Sequence, residues 1–135
     1  MLHFQEKLNR FAESCFEERS LRPPANWRPV VDALETSDAY IFRVELPGVG
    51  KSNISVEVAG NRLRLSGERP DDTDPPLAAY HRIERVHGVF ERTFTLPGPV
   101  DAEKAEAKYV DGLLEVFLPK TDREYECSVN VVKPV

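Results

Sequence analysis

Between residues 27 and 120 apolar and polar side chains alternate with period two in segment after segment, and no other feature of the 135-residue chain narrows its fold as sharply. Tyr40, Phe42, Val44 and Leu46 fall on one side of an extended chain, with Arg43 and Glu45 on the other. Ile54, Val56 and Val58 alternate with Ser55 and Glu57, and Leu63 and Leu65 with Arg62, Arg64 and Ser66. Phe94 and Leu96 are interleaved with Thr93 and Thr95, and Ala105, Ala107 and Tyr109 with Glu106 and Lys108; Leu114, Val116 and Leu118 close the series. Successive side chains of a strand point to opposite faces, so each segment reads as a strand with one buried and one solvated side. Gly60-Asn61 and Asp111-Gly112 separate two pairs of segments, and both dipeptides supply the positive φ that tight hairpins need. Short strands joined by hairpins predict an all-β, immunoglobulin-like antiparallel sandwich over residues 27–120.

Three stretches escape the pattern. In residues 1–26, Phe4, Leu8, Phe11 and Cys15 recur at helical spacing with Ala12 and Phe16 beside them, and Pro23-Pro24 ends the run. This predicts a short helical N-terminal arm, either docked on the main domain or packing between subunits. Residues 70–76 hold three prolines and three aspartates, which makes them a loop and not a strand. The following Ala78-Ala79-Tyr80-His81-Arg82-Ile83-Glu84-Arg85-Val86 has strand-like composition far from its sequence neighbours, and an excursion of this length is usually functional. A short strand that reaches across to another subunit accounts for it. Residues 121–135 form an extended C-terminal tail ending near Val129-Asn130-Val131, with no sheet partner apparent within the chain.

Composition removes several classes of function. With 18 basic against 23 acidic residues, net charge −5, and the signs interspersed, the chain lacks the basic footprint of a nucleic-acid binder. No apolar run approaches the ~20 residues that span a bilayer, so integral membrane association is not expected. The opening residues mix charges among apolar side chains, unlike a secretory signal, and Cys15 and Cys127 form no disulfide framework; both point to the cytoplasm. Gly48-Val49-Gly50-Lys51-Ser52 ends like a phosphate-binding loop, but Glu45 stands where the first glycine is required and a strand follows where a helix should. His3, His81 and His87 match no metal-ligand spacing. No constellation for catalysis is visible, so neither an enzyme nor a metal or other cofactor is expected.

The segment from Ala107 through Asp111-Gly112-Leu113-Leu114, followed by Pro119-Lys120, resembles the A-x-x-x-n-G-v-L hairpin of the small heat-shock proteins, which share the α-crystallin domain. Leu46-Pro47-Gly48 resembles that family's strand-ending turn and Gly67-Glu68-Arg69 its G-E-R element. The run from Arg82 to Arg85 and on through Gly88, Phe90, Arg92, Phe94 and Leu96-Pro97 is similar to its R-x-E-R…G-x-F-x-R-x-f-x-L-P pattern. Four elements in register place the resemblance with the bacterial and plant type. It implies an ATP-independent holdase that captures unfolding client proteins. It also implies a homodimer made by exchanging the loop strand, with Tyr80, Arg82, Ile83, Glu84 and Arg85 at the interface beside the edge near Pro29–Leu34. Larger homo-oligomers would form through the arm and a C-terminal I-x-I motif, here replaced by Val129 and Val131.

Residue chemistry adds roles to this frame. Ala107, Gly112 and Leu114 serve the hairpin: a small residue at a close approach, a left-handed turn and a return to the core. Arg92 lies on the inward parity between Phe90 and Phe94. It therefore calls for a carboxylate or carbonyl partner, in the chain or across the dimer, unless it sits at a strand end and reaches solvent. Phe4, Leu8, Phe11 and Phe16 are the candidate client-binding stripe. Val129 and Val131 project from one side of an extended tail, and the resemblance places their acceptor groove at Ile54, Val56, Val58, Ala105 and Ala107 of another subunit; the alternative is a tail that folds back onto its own domain's groove or stays disordered. The competing function is a protein-interaction adaptor like the CS-domain co-chaperones, which lack the A-x-x-x-x-G-x-L hairpin and carry an acidic tail.

Overall fold

Each alternating segment lies in, or runs straight into, a strand. The computed structural model describes residues 27–71, 75–122 and 128–130, the last three by their backbone alone. Its strands are β1 (Val31–Glu35), β2 (Ala39–Glu45), β3 (Ile54–Ala59), β4 (Arg62–Arg69), β5 (Gly88–Thr95), β6 (Glu106–Val110), β7 (Leu113–Pro119) and β8 (Ser128–Asn130). Short 3-10 turns at Lys51–Asn53 and Ala102–Lys104 precede β3 and β6. One sheet has the order β1-β2-β7-β6 and the other β5-β4-β3-β8, with every pairing antiparallel.

The inward parities meet as the alternation requires. Phe42, Val44, Ala107, Leu114, Val116 and Leu118 of the first sheet face Val56, Val58, Leu63, Leu65, Phe90 and Phe94 of the second, and all are buried. Phe42 and Phe94 stack across the layers with ring centres 5.1 Å apart. Side chains of this size stabilise by about 1.5–3 kcal/mol each when fully buried, and no described residue places a polar side chain fully inside to offset them.

The hairpins follow their dipeptides. Asp111 (φ 54°) and Gly112 (φ 80°) are both left-handed, the geometry of the primed turn that suits the twist of β6 and β7. At Gly60-Asn61 only the first residue is left-handed. The Asn61 amide donates to the Leu96 carbonyl at 3.1 Å, and the Asn61 carbonyl accepts from Leu96 N–H at 2.6 Å, tying this hairpin to the end of β5. Residues 48–53 form the expected inter-strand loop, a single 3-10 turn that runs into β3.

The tail finds the partner that was not apparent within the chain, and takes the fold-back alternative. β8 pairs with β3 of its own chain, Val129 opposite Val58 and flanked by the pairs Glu57–Asn130 and Ala59–Ser128. The sequence hides this partner because β3 offers a free edge only once β4 has taken its other side.

Candidate subunit interfaces and the loop neck

Arg69, the last residue of β4, is paired with Gly88, the first of β5, so residues 70–87 leave and rejoin the sandwich at one point. The Arg69 guanidinium closes that neck. It donates to the carbonyls of Pro47, at 3.0 Å, and of Val86, and lies 4.2 Å over the Trp27 ring. Trp27 in turn donates its indole N–H to the Gly88 carbonyl at 2.8 Å and sets its ring edge-on to Phe90, 5.3 Å between centres. Two strands, the chain entry and the β2–β3 loop thus converge on one side chain.

Beyond the neck the loop is open to solvent. Residues 79–87 form no strand within the single chain; Tyr80, Ile83 and Val86 are 58%, 68% and 49% exposed. Arg82, Glu84 and Arg85 share this exposed segment, with Arg82 and Glu84 3.8 Å apart. The loop curls over a cavity of about 210 Å3 whose walls include Arg69, Tyr80, Ile83 and His87. On the first sheet β1 is an edge, paired to β2 on one side only among the described residues.

Arg92 takes the inward parity and the carbonyl partner that the sequence calls for. Its Nη1 donates to the Pro29 carbonyl at 2.9 Å, from within the chain and just ahead of β1. Its guanidinium carbon lies 5.0 Å from the Phe94 ring centre, and burial lowers its pKa from the ordinary arginine value, which still leaves it charged. Arg92 thus anchors the foot of β1, next to the edge where strand exchange is expected.

On the opposite side of the sandwich the expected acceptor residues come together. Ile54, Val56, Val58, Ala105 and Ala107 are all buried between β3 and the β6 approach, and β8 runs along β3 close to the Ala102–Lys104 turn. Val131, the arm residues Phe4, Leu8, Phe11 and Phe16, and both cysteines lie outside the described residues or, for Val129, are described by backbone alone.

In the 107–114 hairpin, Ala107 pairs with Val116 and Leu114 with Tyr109. The Gly112 carbonyl accepts from Leu46 N–H at 2.7 Å, and a Cβ at Gly112 would stand 3.2 Å from the Pro47 Cα. The Tyr109 hydroxyl lies 2.6 Å from the Leu46 carbonyl and 2.8 Å from that of Val49, so one donor clasps the Leu46–Val49 turn from both ends. Burial raises the Tyr109 pKa above the ordinary phenol value. Tyr109→Phe should therefore lose about 1 kcal/mol of stability at pH 7 in urea unfolding. A phenol raised in the folded state stabilises below the unfolded pKa of about 10 and loses that contribution as pH climbs through the folded value. The gap between the two proteins should accordingly narrow above about pH 10, and a gap that stays constant would remove the hydroxyl as its cause.

Trp27, Arg69 and Tyr109 were not assigned these roles by sequence reasoning. Tyr109 had a usable signal, a phenol on the inward parity, and Arg69 stood in the G-E-R element without a reason attached; Trp27 had none, because its partners come from distant turns.

A family model described as "Hsp20/alpha crystallin family" matches residues 32–133, from β1 through β8. The chain belongs to the Hsp20/alpha crystallin family. Within it, the chain is 39% identical over 98 residues to "Spore protein SP21" of Stigmatella aurantiaca, covering 73% of this chain and 57% of that one. It is 42% identical over 93 residues to "16.9 kDa class I heat shock protein 1" of Triticum aestivum, covering 68% and 62%. The solved "Heat shock protein 16.0 from Schizosaccharomyces pombe" superposes with a TM-score of 0.66 at 32% identity, over 76% of this chain and 98% of that one. The chain spans about three-fifths of the length of the two curated relatives. The bacterial and plant resemblance of the α-crystallin motifs is thus shown.

Proposed function

We propose that this protein is an ATP-independent holdase that captures unfolding proteins in the cytoplasm and prevents their aggregation, using no cofactor and catalysing no reaction. One observation supports this reading: residues 32–133 match a family with relatives that bear heat-shock names. Residues 1–26 act as the arm, 27–120 as the domain and 121–135 as the extension. Dimers form when the loop strand around Tyr80, Arg82, Ile83, Glu84 and Arg85 adds to the partner's β1, with Arg92 fixing the foot of that edge. Tail and groove exchange between subunits: the β3 edge that accepts its own β8 presents the same donors and acceptors to a neighbour's Val129 and Val131. The stripe of Phe4, Leu8, Phe11 and Phe16 takes the client.

The test is light scattering from a heated client, without ATP. The full chain should suppress most of the scattering, and a chain lacking residues 1–22 should lose more than half of that protection while its sandwich stays folded. Equal protection by the truncated chain would move client capture onto the sandwich. Failure of the full chain would overturn the holdase reading. Separately, Val129→Asp with Val131→Asp should reduce larger assemblies to dimers by size-exclusion chromatography; an unaltered elution volume would remove the tail from assembly.

A further inference from the structure

The outer face of sheet β1-β2-β7-β6 differs in kind from that of its partner sheet. Its middle row runs straight across the four strands as Asp32, Arg43, Glu115 and Lys108, each residue in register with the next, so that charge alternates minus, plus, minus, plus. Arg43 Nε and Glu115 Oε2 lie 3.1 Å apart, and both side chains remain nearly half exposed. The adjacent row runs Leu34, Ile41, Phe117 and Glu106, with Phe117 39% exposed, and the row on the other side runs Glu45, Leu113 and Val110, with Leu113 and Val110 exposed. On the second sheet the three outward rows that cross β3, β4 and β5 hold Ser, Thr, Ala, Arg and Glu, with Arg64 joined to Glu57 at 3.0 Å and Glu91 at 3.1 Å; beyond them the half-exposed Val89 stands opposite Glu68. That face is mostly polar, whereas the other pairs an alternating charge row with several bare aromatic and aliphatic side chains.

We propose that this face packs against the same face of a second copy, about a two-fold axis that lies in the interface, runs along the strands and passes between β2 and β7. That axis reverses the order of the row. Asp32 then meets Lys108 of the second copy, Arg43 meets its Glu115, and Ile41 meets its Phe117. The other in-plane two-fold axis, across the strands, sets each charge against its like and is excluded by the row itself. The strand axes of the two facing sheets stay aligned, with β2 lying antiparallel over β7 of the second copy, the aligned packing that twisted sheets adopt about 10 Å apart. Four strands about 4.8 Å apart and three rows about 7 Å apart give on the order of 400 Å2 per copy, half of what a standard interface buries on each side. The contact is therefore too small to hold two monomers, and it links pairs already joined through the loop strand, the one point at which it rests on the reading above. Its weakness is offset by repetition within an assembly.

Sedimentation velocity on the full chain tests it. The unaltered protein should form species larger than a dimer that shrink as salt rises from ~50 to ~500 mM. Lys108→Glu should leave folded dimers, because it opposes two acidic groups at both ends of the row, while the new neighbour of Glu115 within the sheet lowers the melting temperature only slightly. Asp32→Lys combined with Lys108→Glu should restore the larger species. Within one chain the double variant places like charges side by side at both row ends, so its recovery can come only from the second copy. Lys108→Glu assemblies of undiminished size, a double variant no larger than the single one, or an unaltered protein that never exceeds a dimer would each overturn the proposal. Monomers of Lys108→Glu would overturn the proposal as a link between dimers and, separately, refute loop-strand exchange as the primary dimer contact.

Discussion

Gly67→Ala should destabilise the sandwich by about 3 kcal/mol, at the upper end of what overpacking costs, and lower its melting midpoint by more than ~10 °C. Gly67 lies on the inward parity of β4, paired with Ile54 on one side and Phe90 on the other. A Cβ there would stand 2.1 Å from the Asn53 carbonyl oxygen and 2.8 Å from the Phe90 ring. The ring can tilt, but the carbonyl belongs to the backbone that leads the 3-10 turn into β3, so relief requires moving a strand. Gly50→Ala is the matched control. Its φ of −68° suits any residue and its nearest new contact would be 3.5 Å, so its melting curve should be close to the parent's. A Gly67→Ala protein that melts with the control would mean that the close approach to Asn53 is readily relaxed.

Deleting residues 71–84 should convert dimers into folded monomers. The Arg69–Gly88 pair stays intact, leaving Pro70, Arg85, Val86 and His87 as a four-residue hairpin connection, a length that natural hairpins use. The Arg69 bond to the Val86 carbonyl is also retained. What is lost is the exposed segment carrying Tyr80 and Ile83, twice per dimer. Side chains of this size stabilise by about 1.5–3 kcal/mol each on full burial, whereas only ~4 kcal/mol separates a Kd of ~1 µM from ~1 mM. Sedimentation equilibrium at micromolar concentration should therefore find monomer. A persisting dimer would show that the pair is held elsewhere on the molecule.

Much of the sandwich was legible because its information is local. The parity of Phe42, Val44, Leu63, Leu65, Leu114 and Val116 is encoded residue by residue, and burial of one face then decides register. Asp111-Gly112 carries its own turn geometry, and Arg92, falling between two inward phenylalanines, called for a carboxylate or carbonyl without deciding between them. Three features were not legible. The β8–β3 pairing depends on an edge that exists only after the sheet has formed. The neck around Arg69 joins Trp27, Pro47 and Val86, which periodicity does not connect. The demand for glycine at 67 comes from the approach of the Asn53 carbonyl, so its G-E-R motif marked the position without supplying the reason. The residues proposed for the interfaces could be assigned to segments from the sequence, but a face's fitness for a second copy emerges from register across four strands.

Trp27 is the chain's single tryptophan, and it sits at the base of the loop with its indole N–H on the Gly88 carbonyl and the Arg69 guanidinium on its ring. The molecule thus carries a built-in optical reporter at the base of the loop proposed to exchange between subunits. Emission should move to longer wavelength as the neck opens and water reaches the indole, while opening elsewhere in the sandwich leaves it unchanged. Subunit exchange and heat-driven loosening of the loop can then be timed on unlabelled protein, and Arg69→Ala, which removes the lid from the ring, should give the open-neck spectrum at rest.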